Sequence, residues 1–267
     1  MKKLRDFSIE NNIIMMTSID LTETFPHLRN APIVEAALDI RVVPSVKWDE
    51  TSLQSELKKR IPDFPKVELV RQARYQLPIG RQENSPTVED LGCVGFKVHS
   101  SDNLHIAQFN KEAFVFSRLK PYENWEQLSG EALRLWAIYR ELLKPKEVTR
   151  IGLRFINSIA IKQEKVELAD YYKYPPKPLE ELNWTLTGYL HHDVIQVPET
   201  AYRVNLIKTV KNDVPEEIGL ILDIDVFMQN KFEYNEQRIK ACLEEMRWVK
   251  NKIFFSSMTE KALEELK

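Results

Sequence analysis

The sequence predicts an α+β protein built from two tandem β-α-βββ(β)-α units, with a mainly antiparallel sheet and helices packed on one of its faces. Three observations lead there. Leu38-Asp39-Ile40-Arg41-Val42 returns 113 positions later as Ile151-Gly152-Leu153-Arg154-Phe155. Most apolar segments alternate with a period of two, as half-buried strands do. Two long amphipathic segments each close a series of such strands, and Leu128, Ala132, Leu135 and Tyr139 of the first precede Cys242, Met246, Val249 and Ile253 of the second by 114 positions. Tyr75 and Tyr189 share that spacing, whereas Trp136 and Trp248 stand 112 apart and fall out of register. The expected division is an N-terminal extension over 1–20, a first α+β lobe over 21–146 and a second over 147–267.

In the first lobe, Ile33 to Val43 reads as a strand with Leu38, Ile40 and Val42 on one face and Asp39 and Arg41 on the other. A helix follows, capped by Asp49 or Thr51, striped by Leu53, Leu57 and Ile61, and stopped by Pro62. Strands are expected over Val67–Leu77, Val94–Val98, Leu104–Phe109 and Ala113–Leu119, with the Gly- and Pro-containing stretch from Gly80 to Thr87 as a connection. A helix from Trp125 to Leu143 ends before Pro145. The second lobe repeats the order: a strand over Thr149–Ile161, a short helix over Val166–Tyr172, and strands over Leu182–Leu190, Tyr202–Val210 and Ile218–Met228. A helix over Asn235–Phe254 follows, striped by Ile239, Cys242, Met246, Val249 and Ile253. The pattern Ser257-Met258-Thr259-Glu260 predicts a capping box in which Ser257 accepts from the Glu260 N–H and opens a last short helix.

Composition narrows the function. With 38 Lys and Arg against 40 Asp and Glu, the formal charge of -2 supplies no overall field to gather phosphate backbones or anionic lipid. Nucleic acid is therefore a disfavoured partner, and no membrane association is expected. The two cysteines, Cys93 and Cys242, have neither disulfide-framework nor zinc-ribbon spacing and read as reduced core residues. Ile13-Ile14-Met15-Met16 is too short for a signal sequence, so a cytoplasmic location is the default expectation. No nucleophile elbow, Walker loop or dinucleotide fingerprint is present, and 7 glycines in the chain leave little phosphate-cradling backbone.

Three stretches carry a likeness. Phe25-Pro26-His27-Leu28 with Asn30-Ala31-Pro32-Ile33-Val34-Glu35-Ala36, the central Arg150-Ile151-Gly152-Leu153-Arg154-Phe155-Ile156-Asn157, and the late Phe254-Phe255-Ser256-Ser257-Met258-Thr259-Glu260 follow one another in order. In these the chain resembles a sporadically distributed family of uncharacterised bacterial and archaeal proteins. The resemblance spans nearly all of the chain after about residue 20 and implies no activity, cofactor or catalytic position. Patchy distribution of that kind accompanies genes on mobile elements, which implies a defence or toxin-neutralising setting.

Among candidate sites, Asp223 and Asp225 share one face of the alternating run Leu220 to Val226, opposite Leu222, Ile224 and Val226. Two carboxylates on a rigid strand can hold a divalent cation or act as acid and base. The plainer reading makes them solvated outer residues or partners for Arg41 and Arg154. Those two arginines point away from their strands' apolar sets and form an anion-binding pair if the strands are neighbours, or salt bridges to Asp39, Asp223 or Asp225. Arg203, Asn205, Lys97, His99 and His105 are candidates to extend the same polar face. His191-His192-Asp193 lacks metal-ligand spacing and reads as a turn or strand end. Tyr171, Tyr172 and Tyr174, followed by Pro175-Pro176, combine aromatic surface with a stiff backbone, either as an interaction site or as a cap on the core between lobes.

These features fit a non-catalytic binding or regulatory protein, engaging a protein partner or small ligand through Tyr171, Tyr172, Tyr174, Arg41 and Arg154 and needing no cofactor. The alternative is a metal-assisted enzyme acting on a phosphorylated or nucleotide substrate, with Asp223 and Asp225 holding magnesium or manganese. Oligomeric state is left open.

Overall fold

A computed structural model of the chain describes residues 19–76, 87–161, 167–176, 187–214 and 217–267. Most of the expected extension and the connection from Gly80 onward to Pro86 lie outside the described residues. In chain order the elements are β1 (Ile33–Val43), α1 (Glu50–Arg60), β2 (Lys66–Gln76), β3 (Thr87–His99), β4 (His105–Asn110), β5 (Ala113–Leu119), α2 (Trp125–Leu143) and β6 (Glu147–Ile161). A single 3-10 turn (Leu168–Asp170) is followed by β7 (Leu190–Gln196), β8 (Arg203–Val214), β9 (Glu217–Met228), β10 (Phe232–Glu233), α3 (Glu236–Ser257) and α4 (Glu260–Glu265). No helix among the described residues is long and apolar enough to cross a membrane.

The strands form one sheet in the order β2-β3-β4-β5-β1-β6-β9-β8-β7, with β10 beside β6. Every described pairing is antiparallel. Outward from β1 run β5, β4, β3 and β2, and outward from β6 run β9, β8 and β7, so on both sides the strands succeed one another in reverse chain order. The middle of the sheet is the β1–β6 pair, where Leu38 faces Leu153, Asp39 faces Gly152 and Ile40 faces Ile151. The boundary expected between 146 and 147 falls at the start of β6.

One face of this sheet is the core. Leu38, Ile40, Phe114, Phe116, Leu153, Phe155, Ile224 and Val226 are inaccessible to solvent, and they pack beneath α2 and α3. The helices form because their polar ends are satisfied and their apolar stripes have somewhere to go. Asp49 accepts from the Ser52 N–H, Asn124 from Gln127 and Asn235 from Arg238. Trp136 and Tyr139 stack on each other at 5.3 Å, and both lie 5.8 Å from the Phe114 ring, which seats α2 on β5. Arg60 of α1 reaches Glu141 of α2 at 2.7 Å, and Trp125 of α2 donates to Glu244 of α3 at 2.6 Å, so the three helices lie side by side.

Several sequence expectations need correction. The strand expected over Leu182–Leu190 has Leu182 to Leu186 outside the described residues, and the strand that is described begins only at Leu190. The short helix expected over Val166–Tyr172 is the single 3-10 turn at Leu168–Asp170. His191-His192-Asp193, expected at a turn or strand end, lies at the start of β7. Ser257 is the last residue of α3, and the cap of α4 is Thr259, which accepts from the Ala262 N–H.

Candidate functional site

The face opposite the helices carries no second layer among the described residues. Directly paired residues of antiparallel strands point to the same side, so the register reads as rows across that face. One row runs Glu68, Lys97, Gln108, Val115, Asp39, Gly152, Phe227, Arg203, Gln196. The next runs Lys66, His99, Ile106, Ser117, Ala37, Arg154, Asp225, Asn205, Val194. Asp223 sits one row further, between Ile156 and Ile207. The polar face expected from period two therefore exists, and it includes Lys97, His99, Arg203 and Asn205. His105 does not belong to it: it pairs with Arg118 on the helix side and stacks on Phe116 at 5.7 Å.

Asp223 and Asp225 are both engaged. Arg154 grips Asp223 through two hydrogen bonds, Nε to Oδ1 at 2.8 Å and a terminal nitrogen to Oδ2 at 2.5 Å. This pairing raises the pKa of the Arg154 guanidinium above its ordinary value. Asp225 accepts from the Asn205 amide at 3.2 Å and lies 3.5 Å from Arg150. Arg41 is paired with Asp39 at 3.4 Å, its side chain 58% exposed.

Arg41 and Arg154 lie on neighbouring strands, but four residue positions apart in the register, on either side of the Asp39–Gly152 pair. That spacing corresponds to about 14 Å between Cα atoms, too wide for both to clamp one small anion.

The residue that organises the centre is Arg150, which periodicity left unmarked. Its guanidinium bonds to Asp39, reaches toward Asp225 and covers the Phe227 ring at 5.2 Å from the centroid. Gly152 makes this route possible, because a Cβ there would come within 2.9 Å of the Arg150 Cζ. Burial pushes the Asp39 carboxyl above its ordinary pKa, against the pull of Arg150 and Arg41. The centre of the face is thus a matched set of three guanidinium groups and three carboxylates.

The tyrosine segment divides. Tyr171 and Tyr172 are buried, and Tyr172 gives its hydroxyl to the Ile221 carbonyl at 3.2 Å and bridges to Met258. Lys208, itself buried, donates to the Tyr174 carbonyl at 3.2 Å and lies over the Tyr172 ring, and burial lowers its pKa. Only Tyr174, 75% exposed, offers aromatic surface. The expectation that Tyr171 and Tyr172 present a contact surface therefore fails, because their apolar bodies complete the core.

A second feature has no counterpart in the expectations. On the helix side, a cavity of about 240 Å³ lies between the segment from Phe25 to Ile33, the start of α2, β6 and α3. Lys250 of α3 lines it, 9% exposed, with its Nζ 4.1 Å from the centre of the Phe155 ring. Among the described residues no carboxylate pairs with it. Burial drives its pKa down to about 7. The signal was in the helix: Ile239, Leu243, Met246 and Phe254 are buried at three- and four-residue steps, and Lys250 occupies the one polar place in that series.

No group of three or more His, Cys, Asp or Glu side chains converges on a metal-sized site among the described residues. Compared with known proteins, the chain matches no protein-family model and no curated protein.

Proposed function

We propose that this is a non-catalytic binding protein that takes a protein partner on the uncovered sheet face, and that its two halves descend from one duplicated α+β unit. The observation that carries the binding reading is the open face itself. A broad sheet surface with partly exposed Arg41, Arg154 and Arg203 runs into an edge strand whose Leu190 and Val194 are 73% and 65% exposed. Exposed apolar side chains beside Arg203, which has no carboxylate partner among the described residues, suit a partner with an apolar centre and an acidic group at its rim.

Catalysis is the weaker reading because Asp223 is already gripped by Arg154 and Asp225 already accepts from Asn205 beside Arg150. A magnesium or manganese ion would have to displace those cations before it could use both carboxylates. Titration calorimetry with either ion, repeated on Asp223→Asn, tests that alternative: a binding heat that vanishes in the variant would favour it.

Duplication is supported by the symmetry of the seam. The sequence echo maps Asp39 onto Gly152, and these two residues face each other in the β1–β6 register. A two-fold axis through that pair would exchange the two halves of the echo, and the reverse-order strands on either side are consistent with it. The likeness to a sporadically distributed family makes a defence or toxin-neutralising role part of the same proposal.

The test is co-purification of the tagged chain from its host, with Arg154→Glu/Arg203→Glu and Val194→Lys beside the wild type. Lys240→Glu, on an exposed part of α3, serves as control. A stoichiometric partner retained by the control and lost by both face variants is the expected result. A chain that purifies alone, or a partner lost equally from the control, overturns the reading.

A further inference from the structure

We propose that the cavity around Lys250 is a binding site for a small carboxylic acid with an apolar body, its carboxylate paired to the Lys250 ammonium. The site is on the helix side of the sheet and stands independently of the sheet-face reading.

The argument begins with an uncompensated group. Lys250 projects from the buried stripe of α3 onto the face of the Phe155 ring, and among the described residues its ammonium has no hydrogen bond or ion pair. The other charges near it are already matched. Arg247, on the same helix, lies 3.4 Å from Glu244 and 3.7 Å from Glu126 and covers the Trp125 ring at 5.4 Å. Glu123, from the start of α2, is held by Arg118 at 3.4 Å. His27, from the N-terminal segment, lines the cavity and pairs with no acid among the described residues. Burial pushes the Tyr122 phenol up, so that it stays neutral. What the pocket lacks is one negative charge beside Lys250.

Shape completes the specification. Phe25, Phe155 and Phe254 give the cavity apolar walls. A dry cavity of about 150 Å³ suffices for benzene, so the 240 Å³ here accommodates one aromatic ring or a short alkyl chain together with a carboxylate. At the buried Lys250 ammonium the hydrogen bond to a carboxylate is charge-assisted. Binding and protonation are then one event. A lysine kept largely neutral by burial in the free protein must take up a proton as the anion enters.

The experiment uses the full chain with benzoate and hexanoate as probes and benzyl alcohol as the uncharged comparison. Calorimetry at pH 8 in buffers of different ionisation enthalpy is expected to show binding of at least one acid, with uptake of close to one proton per site. Benzyl alcohol is expected to bind at least tenfold more weakly, and Lys250→Met to weaken the acid at least tenfold while its circular dichroism is unchanged. Absence of binding by both acids at millimolar concentration, binding without proton uptake, or equal binding of benzyl alcohol would overturn the proposal. The proton-uptake and alcohol measurements need only the wild type, so they decide the matter even if Lys250→Met does not fold.

Discussion

At the scale of single residues, a buried lysine leaves a mark on stability that does not depend on any ligand. The unfolded chain holds the Lys250 proton up to the ordinary lysine pKa of 10.5, whereas burial lets the folded chain release it near 7. Between those values the unfolded state binds more protons, so stability rises with pH at up to about 1.4 kcal/mol per unit. Below about 7 both states are protonated and the dependence ends. Lys250→Met should therefore be the more stable protein at pH 7 and should lose that slope, as denaturant midpoints taken from pH 7 to 10 will show. An unchanged slope would mean that the ammonium stays charged in the fold. The arginines of the open face differ in the same way. Arg154→Ala strands a buried carboxylate and is expected to cost about 1–3 kcal/mol, while Arg41→Ala, at an exposed pair, should cost under about 1 kcal/mol. Equal losses in urea titrations would contradict the burial of Asp223.

At the scale of elements, the caps and stripes make specific claims. Thr259 caps α4, and its hydroxyl also donates to the Asp170 carbonyl, so Thr259→Ala should lower stability by about 1–2 kcal/mol. Ser257→Ala tests the capping box expected from the sequence, and a loss as large as that of Thr259→Ala would restore that reading. The box misled because α3 continues through Ser257 before the chain turns.

Other elements were legible for equally physical reasons. Ala113–Leu119 and Trp125–Leu143 were read to the residue, the strand from its apolar run and the helix from a long 3.6-residue stripe that ends before Pro145. The strand β7 was missed because hardly any of its side chains is buried, so no period-two signal is written into Leu190–Gln196. The polar sheet face was legible through Asp39, Arg41, Arg154, Asp223 and Asp225. Its keystone was not, because the path of Arg150 across Gly152 depends on a register between strands far apart in sequence. Tyr172 shows the same limit, as its composition suits a surface loop and its partners inside, Met258, Ile221 and Lys208, are far away in sequence.

At the scale of the whole molecule, the two lobes expected from the sequence share a seam that determines how the chain unfolds. Buried residues from both halves belong to one continuous cluster, from Leu38 and Phe116 through Leu153 and Phe155 to Ile224 and Met246. The β1–β6 ladder crosses the boundary with Leu38 against Leu153 and Ile40 against Ile151, all four inaccessible to solvent. Separating the halves would uncover that apolar row together with the hydrogen-bonding edges of β1 and β6, and exposed edges of that kind pair with other chains. Neither half has another described element to cover its side of the seam. Thermal or urea unfolding should accordingly follow one transition, coincident in far-ultraviolet circular dichroism and tryptophan fluorescence. The fragment 1–146 expressed alone should self-associate, and co-expression with 147–267 should return a soluble complex. Two resolved transitions, or a monomeric, cooperatively folding 1–146, would show that the lobes are autonomous and that the seam contributes little to either.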